Sequence, residues 1–331
     1  MARSAGTGAP DHPADETPNA AAPCCLPISD VRPLEIARPR FKEAIIKAVL
    51  FASAAFSVVI TAAIIVILIE ETFLFFSADD VSVLGFLFGT EWTPLFQPRR
   101  YGVLPLVCGT MHIVIGSAIV ALPVGLVCGI YLSEYASPRL RSIIKPILEI
   151  LAGIPTVVYG YFALTFVTPL LQSIWSGVEV FNSMSASLVV GIMILPLVAS
   201  LCDDAIRSIP PALKEGAYAL GATKLEVILR VIVPAALSGI LASFMLAISR
   251  AVGETMIVVV AAGSTPRITA DPFGSIQTMT AYIVQVSLGD TPAGTVEYYT
   301  LFAVAGLLFL ITLIMNIISN RILLRYRETY E

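Results

Sequence analysis

Of the 331 residues in this chain 57% are hydrophobic and only 13% charged, and mean hydropathy is +0.86. Such a composition excludes a soluble globular protein and points to one that lives in a bilayer. The net charge of −4 decides little, because the placement of charges matters more than their sum.

Residues 1–40 hold seven prolines, many alanines and no apolar periodicity, so nothing there can form a core and a disordered tail is expected. Cys24 and Cys25 lie in it, far from the first apolar run, which makes lipid attachment the weaker reading. A cleaved signal peptide is not expected, since the first apolar run begins past residue 43 and is too long for one. Six stretches approach or exceed the ~20 apolar residues that a spanning helix needs. They cover 48–69, 103–131, 147–171, 184–202, 237–262 and 298–320, and predict an all-α, polytopic membrane protein with six transmembrane helices.

Lysine and arginine set the expected orientation. With the N-terminus inside, sixteen fall on inside segments and three outside (Arg99, Arg100 and Arg267), with Arg250 left in the membrane. Both termini are therefore expected in the cytoplasm. The outside segment 70–102 is rich in aromatics: Phe73, Phe75, Phe76, Phe86, Phe88 and Trp92. It reads either as an interfacial or partner-docking ledge or as ordinary belt residues.

Prolines and glycines fall inside the spans: Pro105 and Pro123 in the second, Gly153, Pro155 and Gly160 in the third, Pro196 in the fourth. In lipid a freed backbone carbonyl must be satisfied by protein or water, so such breaks favour helices that line a bundle interior; simple packing kinks are the alternative. Cys108, Cys128 and Cys202 read as small buried hydrophobes. Neither His12 nor His112 has a second ligand at metal spacing, and no metal site or nucleophile–base constellation is evident. The outside loop 263–297 carries Pro266, Pro272 and Pro292, with a short re-entrant or interfacial piece expected around 276–286.

The longest inside loop runs from Asp203 to Pro234 and ends EGAYALGATKLEVILRVIVP. It reads as a short helix, a close-approach Gly221 able to take positive φ, a second amphipathic helix (Leu225, Ile228, Leu229, Ile232) and Pro234 opening the next span. In that span, Arg250 and Glu254 are the only charges between Val231 and Pro266. Four residues apart on one continuous helix, they would share a face and pair. An ionisable group there costs ~2.5–3.5 kcal/mol on insertion scales, so the pair marks either a pathway or a structural ion pair. At 1.5 Å per residue Arg250 would lie ~18 Å up the helix, near mid-bilayer.

The inside loop resembles the EAA loop of binding-protein-dependent ABC importers, E-A-A-x3-G-x9-I-x-L-P, with Gly216 at the second position and valines for the isoleucine and leucine. LEILAGIPTVVYGY (148–161), the preceding 109–137 stretch and SRAVGETMIVVVAAG (249–263) resemble phosphate-specific permeases. FGTEWTP (88–94), YGVLPLVCGT (101–110) and the methionine after Gly-Glu-Thr resemble the PstC type. The resemblance covers roughly 45–325 and implies a type I ABC importer permease fold. It implies a tail 1–40, a first transmembrane helix with its extracytoplasmic segment 41–102, and a permease core 103–331 carrying the coupling loop 203–234.

By that resemblance the chain is the permease subunit of an inorganic phosphate importer in a bacterial cytoplasmic membrane. Glu215, Gly216, Ala217, Gly221 and Pro234 would couple to an ATPase, and Gly153, Pro155 and Gly160 would break pathway helices. Arg250 and Glu254 would lie on the substrate path, with Gly253 between them admitting another helix and hydroxyls from Ser249 and Thr255. A guanidinium offers phosphate a planar fork, while Glu254 competes for it and keeps the contact weak enough for release.

The chain has no G-x-x-x-x-G-K-[ST], so ATP and Mg are expected on a partner and no cofactor or catalytic site on this chain. Expected partners are a second permease of PstA type, an ATPase dimer, an extracytoplasmic phosphate-binding protein, phosphate and membrane lipids, with no nucleic acid. Three rivals stay open: a sulfate or molybdate importer, a gradient-driven secondary transporter, and a non-transporting scaffold or sensor.

Overall fold

The computed structural model describes residues 41–78, 81–289 and 291–326. The expected tail, with Cys24, Cys25 and His12, lies outside the described residues. The chain divides into two units, 1–60 and 61–331. In the first, residues 41–60 are helical and begin α1, Phe41–Phe76, and residues 43–60 expose nearly all their side chains.

In the second unit the elements follow as α2 (Val83–Phe88), α3 (Leu104–Ile130), α4 (Pro138–Ala152), α5 (Thr156–Phe162), α6 (Thr168–Ile174) and α7 (Ser183–Arg207). Then come α8 (Pro211–Ala219), α9 (Lys224–Val227), α10 (Val233–Ala235), α11 (Leu237–Val252), α12 (Met256–Ala261), α13 (Met279–Leu288) and α14 (Val296–Tyr326). Three π-helical turns, Tyr131–Tyr135, Ala163–Val167 and Ile228–Ile232, continue α3, join α5 to α6 and join α9 to α10.

Among the described residues five helices are long and apolar enough to cross a membrane: Glu43–Phe76, Leu104–Tyr135, Thr156–Ile174, Ser183–Arg207 and Val296–Ile322. Two expected spans differ. The third starts at Thr156, because Gly153, Ile154 and Pro155 break the helix and residues 147–152 belong to the separate amphipathic helix α4. Pro155 has no N–H to continue a helix and disfavours helical backbone at the residue before it. The fifth is not one helix: α11 bends 70° from the Lys224–Ala235 segment and stops at Val252.

Helices α3 and α7 form the axis of the core. A Cβ added at Gly116, Gly125 or Gly129 would come within 2.8 Å of Ser187, 2.6 Å of Val198 or 2.7 Å of Cys202. With no hydrophobic drive between helices in lipid, association depends on such small-residue seats. Pro123 and Pro196 sit inside α3 and α7 without interrupting either, and Pro105 occupies the first turn of α3, where its missing N–H costs little.

A second, smaller core gathers Phe75, Phe86, Trp92, Leu106, Met279, Tyr282 and Val304. Trp92 meets Tyr282 edge-on with ring centroids 4.9 Å apart. Of the aromatic segment, Phe75, Phe86 and Trp92 are thus core residues, whereas Phe73 and Phe88 stay exposed. The loop between α12 and α14 contains the expected short helix as α13. It is fixed to α3 at Gly109, where a Cβ would lie 2.2 Å from the Gln277 carbonyl, and at Thr110, whose Oγ1 accepts the Met279 N–H at 3.1 Å.

Candidate translocation and coupling sites

α11 ends at Gly253, which has φ −88° and ψ 1°, and α12 begins three residues later. The run Gly-Glu-Thr is a local stop and start: a glycine past the last turn, then a carboxylate before the next. Glu254 is buried, and its Oε1 accepts the Ile257 N–H at 3.2 Å. Its carbonyl accepts from Thr280 Oγ1 on α13 at 2.8 Å, and Thr255 Oγ1 donates to the Gly253 carbonyl at 3.2 Å. Arg250 lies in the last turn of α11 and is exposed, with no hydrogen-bond or ion-pair partner among the described residues. Ser249 beside it donates to Asn316 Oδ1 on α14 at 3.4 Å.

The expected Arg250–Glu254 ion pair is therefore absent, because four-residue spacing brings two side chains together only if a helix runs between them. Arginine before glutamate is the less favourable order on one helix but suits two: the cation sits at a helix C-terminus and the carboxylate ahead of the next N-terminus. Among the described residues no helix of this chain packs on Gly253, where a Cβ would meet only the carbonyls of Ser249 and Arg250, each 3.9 Å away. Close approach occurs instead at Gly160. It lies inside α5 rather than at a break, with a Cβ 3.1 Å from the Met256 carbonyl and 3.2 Å from Ile257 Cα. Gly153 and Pro155 do lie in a break, between α4 and α5.

The loop α8–α9 turns on Gly221, which takes φ +81°. A Cβ there would meet nothing within 4 Å, so its task is the left-handed corner and not close approach. Thr223 and Glu226 then form a reciprocal capping box at the start of α9. The pair of short helices leaves Leu220 90%, Leu225 59% and Leu229 57% exposed, while Ile228 and Ile232 are buried. Glu215 and Gly216 are exposed and Ala217 packs against the core. Pro234 lies in α10, ahead of the bend, so Leu237 and not Pro234 opens α11.

Beside this loop stands a charge cluster with no expectation attached to it. Asp203, 1% exposed, faces Arg141 at 2.5 Å, Arg207 at 3.4 Å and Lys145 at 3.7 Å, and Lys145 also reaches Asp204 at 2.8 Å. A further pair joins Glu134 to Lys214. His112 is half-buried and lines a cavity of about 360 Å³ with Cys108, Ile115, Ile119 and Thr269.

Residues 121–328 match the family model of the binding-protein-dependent transport system inner membrane component. The chain belongs to that family. It is 35% identical to a probable ABC transporter permease of Bacillus subtilis over 74% of this chain and 81% of the relative. It is 32% identical to the phosphate transport system permease PstC of Mesorhizobium japonicum, over 75% and 81%. For PstC of Haemophilus influenzae the values are 33%, 74% and 82%.

Among solved structures, a chain of the MetNI methionine ABC transporter in an inward-facing form superposes with a TM-score of 0.53 at 18% identity. That alignment covers 68% of this chain and 98% of the other. The architecture is the type I ABC importer permease fold, and the chain is a membrane-spanning permease component of an ABC transporter. The family is not a catalytic one.

Proposed function

We propose that this chain is the permease subunit of an ATP-driven importer of inorganic phosphate, and that Arg250 is its contact with the anion in transit. The observation that carries the reading is the exposure of Arg250: an unpaired guanidinium at the end of an apolar helix. Facing lipid there costs several kcal/mol, so it belongs against a partner subunit, water or an anion. The relatives named PstC support phosphate as cargo.

Placed at a helix C-terminus, Arg250 sits at the negative end of the helix dipole, which stabilises the cation but competes with a bound anion. That keeps the contact weak enough to conduct. Glu254, held on the Ile257 N–H, fixes the break that presents Arg250, with Ser249 and Thr255 supplying hydroxyls near it. A second permease of PstA type completes the path.

On the inner face, Leu220, Leu225 and Leu229 form an apolar ledge that docks the ATPase dimer through the loop bearing Glu215, Gly216, Ala217, Gly221 and Pro234. ATP and Mg act there, on the partner. An extracytoplasmic phosphate-binding protein delivers cargo to the outer loops, and both termini of this chain lie in the cytoplasm of a bacterial cell.

The test is ATP-driven phosphate uptake by the reconstituted complex. A charge-assisted bidentate contact contributes ~1.5–3 kcal/mol, so Arg250→Lys is expected to lower uptake roughly 10- to 100-fold with assembly intact. Glu254→Gln, which keeps an acceptor for Ile257, is expected to lose less. Normal uptake by Arg250→Lys in fully assembled complexes would remove Arg250 from the path.

A further inference from the structure

α8 is weakly held. It buries none of its nine side chains fully, and Ala217 alone packs partly against the core. Its ion pair among the described residues is Lys214 with Glu134, whose side chain is only 9% exposed and also accepts from Ser133 Oγ at 3.3 Å. The next residue, Tyr135, lies beneath α9: Lys224 Nζ stands 4.2 Å from the centre of its ring. Both docking helices are thus tied to one π-helical turn, Tyr131–Tyr135, at the end of α3. The tie to α8 is an ion pair and the tie to α9 a cation–π contact.

The Glu134–Lys214 pair has a property that apolar packing lacks. Coulomb attraction falls off slowly with distance, so it survives a shift of an ångström or two that would abolish dispersion contacts. A π-turn is itself a local irregularity of the kind found at functional sites, and here it ends a helix packed along its length on α7.

We propose that the Tyr131–Tyr135 turn is the joint through which motion of the docking helices reaches α3, with Glu134 and Tyr135 as its positioning residues. This rests on the reading that α8 and α9 dock the ATPase. Force applied to α8 passes through Lys214 to Glu134, and force applied to α9 passes through Lys224 to Tyr135. Both enter α3 at the same turn, so the two short helices act on the membrane helix together.

The test exchanges the charges in the assembled complex. Glu134→Lys and Lys214→Glu are each expected to lower ATP-driven phosphate uptake at least tenfold while the ATPase still co-purifies. The combined exchange is expected to return uptake to within threefold of the unchanged protein, a rescue that a generic packing role would not give. Glu134→Gln, close in shape and uncharged, is expected to fold normally and to be impaired. Uptake within twofold of the unchanged protein in either charge-reversed single variant, or no recovery in the combined one, overturns the proposal. Leu220→Asp separates the two readings. If it keeps its ATPase, docking at this loop is wrong and the joint falls with it; if it loses the ATPase while the charge variants transport normally, only the joint is wrong.

Discussion

Asp203 has three cations around a side chain that water barely reaches. Removing the carboxylate leaves Arg141, largely covered, without its ion-pair partner, while Lys145 keeps only Asp204. Breaking a buried pair in this way costs ~3–5 kcal/mol, so Asp203→Ala should strongly lower the thermal midpoint of the detergent-solubilised protein. Arg207, with 46% of its side chain exposed, should matter far less, and Arg207→Ala is expected to cost at most ~1 kcal/mol. A similar loss from both variants would mean that Asp203 is not the centre of the cluster. None of this was legible in the sequence, because Arg141 and Asp203 are 62 residues apart and nothing local marks either as a partner. Arg250 and Glu254 were legible for the opposite reason: two charges in an apolar run need no partner to be noticed. What the run concealed was that the helix stops between them.

At the scale of elements, Gly221 carries the corner between α8 and α9. A β-branched residue at φ +81° pays ~1–2 kcal/mol for left-handed backbone, and no neighbour compensates. Gly221→Val is therefore expected to weaken retention of the ATPase roughly tenfold while leaving membrane insertion unchanged. A titration of ATPase against the reconstituted permease measures this, and undiminished affinity would show that the corner is not needed for docking. This corner was legible, since a glycine between two short amphipathic helices has one obvious use. Hydropathy places the start of the third span too early because α4 is apolar along one face, with Leu140, Ile143, Ile147 and Ile150 exposed. Its boundary is set by Pro155, which marks the start of the span and not a break within it. The Gly-Glu-Thr stop in α11 was present too, but a lone glycine inside an apolar run is common enough in membrane helices to pass as continuous.

For the molecule as a whole, the orientation expected from the excess of lysine and arginine on one set of loops would put the proposed docking ledge and the aromatic segment on opposite sides of the membrane. A membrane-impermeant thiol reagent applied to intact spheroplasts should modify Phe88→Cys and leave Leu220→Cys unmodified until the membrane is opened. Both positions are well exposed, so accessibility within the protein does not limit either reaction. The reverse pattern would invert the orientation and place the ledge where no ATPase could reach it. Fold class and five of the six expected spans were legible at this scale because hydropathy over twenty residues is a strong signal. The tilts and seats that turn spans into a permease depend on which glycine meets which neighbour, and that has no local signature.

The seat at Gly160 limits how the parts can move. There α5 and α12 cross nearly backbone to backbone, within 3.1 Å of where a side chain would begin. If α5 slid along α12 by one turn, Thr156 or Leu164 would arrive where no side chain fits. Turning about the crossing brings in no new atoms, so the contact acts as a fulcrum: it forbids sliding and permits rotation. A lever on such a fulcrum moves most at its far end, and Arg250, one break away from α12, stands on the arm.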